Sequence, residues 1–237
     1  MRKKGYIIFL LCFWLFSGAY IIHSAYFKNL YISPDSSNYM REAQALLIGQ
    51  GFNYNAMAGG SGWFSSWPVG YPALIALSSL VFRVNVYLAS KILTVIIIGL
   101  ELLILAKHFK AKSWLYALVL LNLGIIQINR FTWSETAFMP VLLMYTLSLA
   151  KITADSSCGT KYYVLLALSM AGAFLVRYFG IFTVITSLLT ALLLITFAFS
   201  EGLHRTKSAV TRSVKLIAAS GAAGLFMLGY LMMNKIR

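Results

Sequence analysis

The chain carries only six acidic side chains, and Asp35, Glu42 and Glu135 stand apart from its clusters of lysine and arginine. A carboxylate outside such a cluster can serve as a general base, taking the proton from a hydroxyl as that oxygen attacks. Asp35 lies in Ser33-Pro34-Asp35-Ser36-Ser37-Asn38-Tyr39, and Glu135 follows Thr132-Trp133-Ser134. Arg177 is the complementary oddity, a lone cation in the apolar run Phe174-Leu175-Val176-Arg177-Tyr178-Phe179. A guanidinium in that setting can hold a phosphate through paired N–H donors. It can also stabilise a leaving phosphate as charge develops. Base and cation together describe transfer of a group from a phosphate ester to a hydroxyl.

Each residue also has a structural reading. Asp35 beside a helix start can cap free backbone N–H groups. Thr132-Trp133-Ser134-Glu135 has the pattern of a capping box. Arg177 can snorkel to an interface. Glu42 lies a helical turn or more from Asp35 on a polar face and reads as solvated. Asp155 and Glu201 sit among lysines and arginines and read as surface charges. Glu101 lies in an apolar segment near Lys107 and His108, where an intramembrane carboxylate marks function or a buried pair, or else simply reaches the interface. Arg130 and Lys91 are further cations, less embedded than Arg177.

The elements that must position these groups are membrane segments. Of the 237 residues, 60% are hydrophobic and 11% charged, against about half and about a quarter in a soluble domain. Apolar stretches fall at 6–26, 70–82, 86–106, 113–129, 136–151, 162–180, 181–199 and 215–233. Helices are expected, because in lipid each segment must satisfy its own backbone polar groups. The net charge of +14 does not indicate nucleic acid, since the cations fall in short clusters between apolar segments rather than on one aromatic-studded face. Cys12 in an apolar segment and Cys158 in a loop imply no disulfide framework. The first apolar run, with no clear cleavage site after it, reads as an uncleaved span.

Charge settles the threading. With 70–82 kept out of the bilayer, Arg2, Lys3, Lys4, Lys107, Lys110, Lys112, Lys151, Lys161, Arg205, Lys207, Arg212 and Lys215 all fall inside. Letting 70–82 cross sends the densest later clusters outside, against the positive-inside rule. The expectation is therefore an all-α, multi-pass protein of seven transmembrane helices, N-terminus inside, with residues 27–85 as a first outer loop. That loop should carry two interfacial helices, near 38–49 and 70–82. Tyr39, Ala43, Leu46 and Leu47 share one face of the first, and Gly49 and Gly51 end it. Residues 53–66, rich in Gly, Asn and Ser, read as loop. Trp67-Pro68-Val69-Gly70-Tyr71-Pro72 reads as the rigid turn that opens the second. On this topology Asp35, Glu42, Glu135, Lys91, Arg130 and Arg177 all face the outer side.

The same residues resemble a family. Pro34-Asp35-Ser36-Ser37-Asn38-Tyr39 with Gly49-Gln50-Gly51-Phe52, then Trp67-Pro68-Val69-Gly70-Tyr71-Pro72-Ala73-Leu74, Ser134-Glu135 and Arg177-Tyr178-Phe179-Gly180, occur in order. They resemble segments of GT-C-type, polyprenyl-phosphate-dependent glycosyltransferases, in the bacterial branch related to protein mannosyltransferases and lipid A aminoarabinose transferases. The resemblance covers residues 34 to 180. It implies a single GT-C-like module over 1–237, in a bacterial inner membrane. It implies Asp35 as catalytic base with Glu135 as supporting carboxylate. Arg177, Tyr178, Arg130 and Lys91 would serve the lipid phosphate, and Tyr39, Trp67, Pro68 and Tyr71 would form the substrate loop. The donor would be a polyprenyl-phosphate sugar rather than a nucleotide sugar, the acceptor a hydroxyl of a glycan, lipid or protein, and the reaction inverting.

The chain departs from the family pattern in three ways. Pro34 and Ser36 flank Asp35 where many members have a second acid, so no metal site is expected. Val69 replaces a proline. The chain ends at Arg237, soon after the seventh segment, so the usual C-terminal half is expected to be missing. A non-catalytic membrane subunit needing a partner is the competing expectation. A transporter ranks lower, because no repeat is found. An acyl- or phosphotransferase ranks last, because none of His23, His108 and His204 falls beside an outer carboxylate.

Overall fold

The computed structural model describes residues 5–27, 31–51, 67–201 and 203–235, without the side chains of 27, 199–206 and 234–235. The basic start Arg2-Lys3-Lys4, Lys28, the loop expected at 53–66 and the side chain of Glu201 lie outside the described residues. The chain is all-helical, 88% helix, with no strand among the described residues. Ten α-helices are named in chain order: α1 Gly5–Phe27, α2 Pro34–Leu47, α3 Gly70–Phe82, α4 Val86–Phe109, α5 Ser113–Ala117, α6 Leu123–Arg130, α7 Glu135–Ala154, α8 Thr160–Val176, α9 Phe182–Glu201 and α10 Leu203–Lys235.

Five stretches are long and apolar enough to cross a membrane: Gly5–Tyr26, Val86–Leu121, Glu135–Ala154, Tyr178–Ala198 and Lys207–Met233. This is fewer than the seven expected, and two local causes account for the difference. Segment 113–129 is broken: Asn122 takes φ −58 and ψ 134 between the 3₁₀ turn Leu118–Leu121 and α6. Segment 162–180 ends early as the 17-residue α8, because Arg177 turns extended at φ −148 and ψ 129. At 1.5 Å per residue α8 spans about 26 Å, short of a ~30 Å core.

The chain forms two compact units, Met1–Pro140 and Val141–Arg237. In the first, α1 and α4 pack through close backbone approach. A Cβ on Gly99 would stand 2.9 Å from the Trp14 indole nitrogen, and that indole donates to Val95 O at 2.8 Å. Small residues let helices meet this way where no hydrophobic effect drives them together. α2 packs on α3, and α3 on α4. Arg83, at φ 54, turns the chain between α3 and α4. Asn85 caps α4 by accepting from Leu88 N at 2.9 Å, and Ser78 Oγ donates to Ala89 O at 3.1 Å.

α3 keeps the bounds expected for it. It buries Tyr71, Pro72, Ile75 and Ala76 while leaving Leu77, Leu80 and Val81 exposed. An apolar outward face on so short a helix suits lipid contact rather than water.

In the second unit, Tyr163, Leu166, Met170 and Phe174 of α8 share a core with Leu216, Ala223 and Met227 of α10. Tyr145 OH donates to Thr183 O at 2.9 Å, and Arg212 donates to Thr153 O at 2.7 Å near the end of α7.

Candidate active site

α2 begins earlier than the sequence pattern suggests. Its N-cap is Ser33, extended at φ −104 and ψ 171, with Oγ accepting from Ser36 N at 3.1 Å. Pro34 takes the first helical position, where its missing N–H costs nothing. Asp35 is therefore not the cap. It lies in the first turn, exposed, where a carboxylate is favoured by the positive helix end. Gly49 and Gly51, at φ 76 and 67, close the helix as expected.

The first turns of α2 are stapled to the turn that precedes Glu135. Trp133 Nε1 donates to Ser33 Oγ at 2.7 Å. Thr132 N donates to Ser36 Oγ at 3.3 Å. Tyr39 OH donates to Ser134 Oγ at 2.8 Å. Ser36, Thr132 and Ser134 are fully buried, and Tyr39 nearly so. Three bonds at sequence separations near 100 thus bring the starts of α2 and α7 together, and with them the backbone positions of Asp35 and Glu135. The capping box expected at Thr132–Glu135 does not form in that role: the Thr132 hydroxyl meets Ser90 Oγ at 2.8 Å and accepts from Lys91 Nζ at 3.2 Å.

Lys91 corrects its expectation. Read from sequence as a less embedded cation, it is 1% exposed. Its ammonium donates to Arg130 O at 2.6 Å and to Thr132 Oγ1, above the Tyr87 ring. It holds the 130–132 backbone from beneath. Arg130 stacks its guanidinium on Tyr31 at 3.7 Å and on Tyr20 at 5.3 Å.

Glu42, expected to be solvated, is a second correction, being fully buried on the face of α2 that also carries Tyr39 and Ala43. Glu101 is enclosed by protein, 4% exposed, with Oε2 lacking a hydrogen-bond partner.

The expected substrate-loop residues gather, but as a packed support. The Tyr39 ring lies 5.4 Å from Trp67 and 5.2 Å edge-on from Tyr71. Pro68 is buried beside Trp67 in sequence, and Tyr71 is fully buried. Burial pushes the Tyr71 phenol well above its ordinary pKa, and Tyr39 and Glu135 add to the rise. Tyr71 therefore stays a neutral phenol near Glu135.

Arg177 and Tyr178 belong to the second unit. Arg177 is half-buried, ends α8, and donates its N–H to Ala173 O at 2.9 Å. Gly180 N closes the turn onto Arg177 O at 2.7 Å. Gly180 is required there, because a Cβ would overlap the backbone of Ala173 and Phe174.

Sequence reasoning passed over the serines and the tryptophan that staple the two helix starts. The signal was present in the paired strings Ser33-x-x-Ser36-x-x-Tyr39 and Thr132-Trp133-Ser134, each crowding small polar donors and acceptors beside a carboxylate. Comparison with protein-family models, with curated proteins and with solved structures finds no match for this chain.

Proposed function

We propose that the chain is a membrane glycosyltransferase that moves a sugar from a polyprenyl-phosphate carrier to a hydroxyl acceptor at the outer face. The supporting observation is the staple that joins the start of the Asp35 helix to the start of the Glu135 helix. It joins the backbone starts of two helices that each carry an acidic residue, on a support of buried hydroxyls and aromatic rings, while Asp35 itself is exposed. A general base needs that combination of access and fixed backbone.

In the reaction, the acceptor oxygen forms a bond to the anomeric carbon and the carbon–oxygen bond to the carrier phosphate breaks. The bonding pair stays on the phosphate oxygen, the acceptor proton passes to Asp35, and the anomeric centre inverts. Glu135 orients the acceptor. Arg177 and Tyr178 are retained for the carrier phosphate on their sequence positions alone. The topology that goes with this reading has the N-terminus inside, 27–85 outside and seven crossings of a bacterial inner membrane, two of them by the broken segment 113–129 and the short α8.

The test is the stereochemistry and donor of the reaction. Membranes holding the chain are supplied with a polyprenyl-phosphate sugar of known anomeric configuration and a hydroxyl acceptor. Transfer with inversion is expected. Retention of configuration, or transfer only from a nucleotide sugar, would overturn the reading.

A further inference from the structure

The break in segment 113–129 has a counterpart in space. Asn122 interrupts the helix and caps α6 by accepting from Gly124 N at 2.9 Å. Irregular backbone at bilayer depth persists where it is buried or lines a cavity. Here a cavity of about 230 Å³ lies between α1 and this segment, walled by Phe13, Phe16, Tyr20, Leu120 and Ile126. Its wall is mostly apolar, with Ser17, Tyr20 and Asn129 as the polar side chains of the lining.

Asn129 is 6% exposed, and its Oδ1 has no hydrogen-bond partner. The next residue, Arg130, stacks on Tyr20, which is itself part of the cavity wall, and its buried Nε has no hydrogen-bond partner either. The cavity wall thus holds an unused acceptor in Asn129, next in sequence to a cation with an unused donor that stacks on a wall residue.

We infer that this cavity binds one membrane glycerophospholipid with an anionic, hydroxyl-bearing headgroup. The acyl chain lies along α1, the phosphate meets Arg130, and a headgroup hydroxyl donates to Asn129 Oδ1. The chemistry selects the headgroup. A guanidinium takes a phosphate through N–H donors, and an amide oxygen requires a donor in return. A glycerol headgroup supplies both. A choline headgroup has no donor, and a bare ionised lipid phosphate has none either. The site uses neither Asp35 nor Glu135 and does not depend on the sugar-transfer reading. It assigns Arg130 to a bilayer lipid rather than to a sugar carrier.

Native mass spectrometry of the delipidated protein in detergent tests it, with dioleoylphosphatidylglycerol, dioleoylphosphatidylcholine and undecaprenyl phosphate added separately. Wild type is expected to hold one copy of the phosphatidylglycerol. Asn129→Leu should hold it about tenfold more weakly. It should melt no lower in lipid-free detergent, since it removes a buried acceptor that has no partner. Ile126→Trp, which fills the cavity one helical turn before Asn129 on α6, should lose the lipid as well. Equal binding of the glycerol and choline lipids would overturn the site, as would wild-type affinity in both variants. Tighter binding of undecaprenyl phosphate, lost in Asn129→Leu, would give the cavity to the carrier and also overturn it.

Discussion

Tyr39 OH donates to Ser134 Oγ at 2.8 Å, across 95 residues of chain, with both side chains buried. This bond ties the second turn of the Asp35 helix to the residue that precedes Glu135. Removing the hydroxyl in Tyr39→Phe should cost about 1 kcal/mol of stability, and Ser134→Ala a similar amount. The double variant should cost less than the sum, because both remove one interaction. Thermal melts of the four proteins in detergent check this, and strict additivity would mean that the bond carries no coupling.

Lys91 should matter to folding rather than to substrate. Its ammonium satisfies Arg130 O and Thr132 Oγ1 from within the buried face of α4. Lys91→Met keeps the length and strands Arg130 O, while Thr132 Oγ1 keeps Ser90 Oγ as a partner, so a loss of about 1–3 kcal/mol is expected. The readout is the yield and melting temperature of folded protein. Wild-type stability with weakened lipid binding would instead support the phosphate role expected from sequence.

Gly180→Ala should unfold the end of α8. Its Cβ would meet the backbone of Ala173 and Phe174, which cannot step aside as a side chain can, so the cost should reach about 2 kcal/mol or more. Gly159 is the control, with open space around it at the N-cap of α8. Gly159→Ser adds a capping oxygen and should be neutral or stabilising by some tenths of a kcal/mol. Circular dichroism melts of the two variants should move in opposite directions or differ sharply in size.

Asp155 should give the end of α7 a dependence on acid. The hydrogen bond from Lys151 first, then those from Ser157, hold its carboxyl well below the usual carboxylate range. The salt bridge is 2.8 Å long and open to solvent. A depressed folded pKa contributes stability above the unfolded value of about 3.9, lost as pH falls through the folded value. Asp155→Asn should therefore lower the melting temperature slightly at neutral pH, and salt should shrink the difference. Below the carboxylate range the two proteins should melt together.

Much of this architecture was legible in the residues, for reasons that are local. Gly49 and Gly51 end α2 because their positive φ suits glycine, and the apolar run with its flanking turns set the bounds of α3. Period and punctuation are properties of neighbouring residues, so a sequence carries them openly. What stayed hidden depends on partners far along the chain. Glu42 looks solvated by its neighbours Arg41 and Gln44, yet its face of α2 is covered in the fold. Lys91 looks like a loose cation until the 130–132 backbone arrives to accept its protons. Thr132 and Glu135 have the spacing of a capping box, but Ser90 and Lys91 take the threonine. The structure brings the α2 and α7 starts together, while the roles of Asp35 and Glu135 in catalysis stand as a proposal. The assignments to lipid phosphate rest on residue type.

The central claim is that Asp35 is the base of a lipid-linked sugar transfer, and sugar transfer by Asp35→Asn in reconstituted membranes tests it most directly. Asp35 is exposed and is not the cap, so the variant should stay folded and lose at most the ~0.3–1 kcal/mol of its charge at the helix start. Its transfer rate should fall by about 10²–10⁴-fold, the usual contribution of a positioned general base. A folded Asp35→Asn protein that transfers sugar at the wild-type rate would contradict the account.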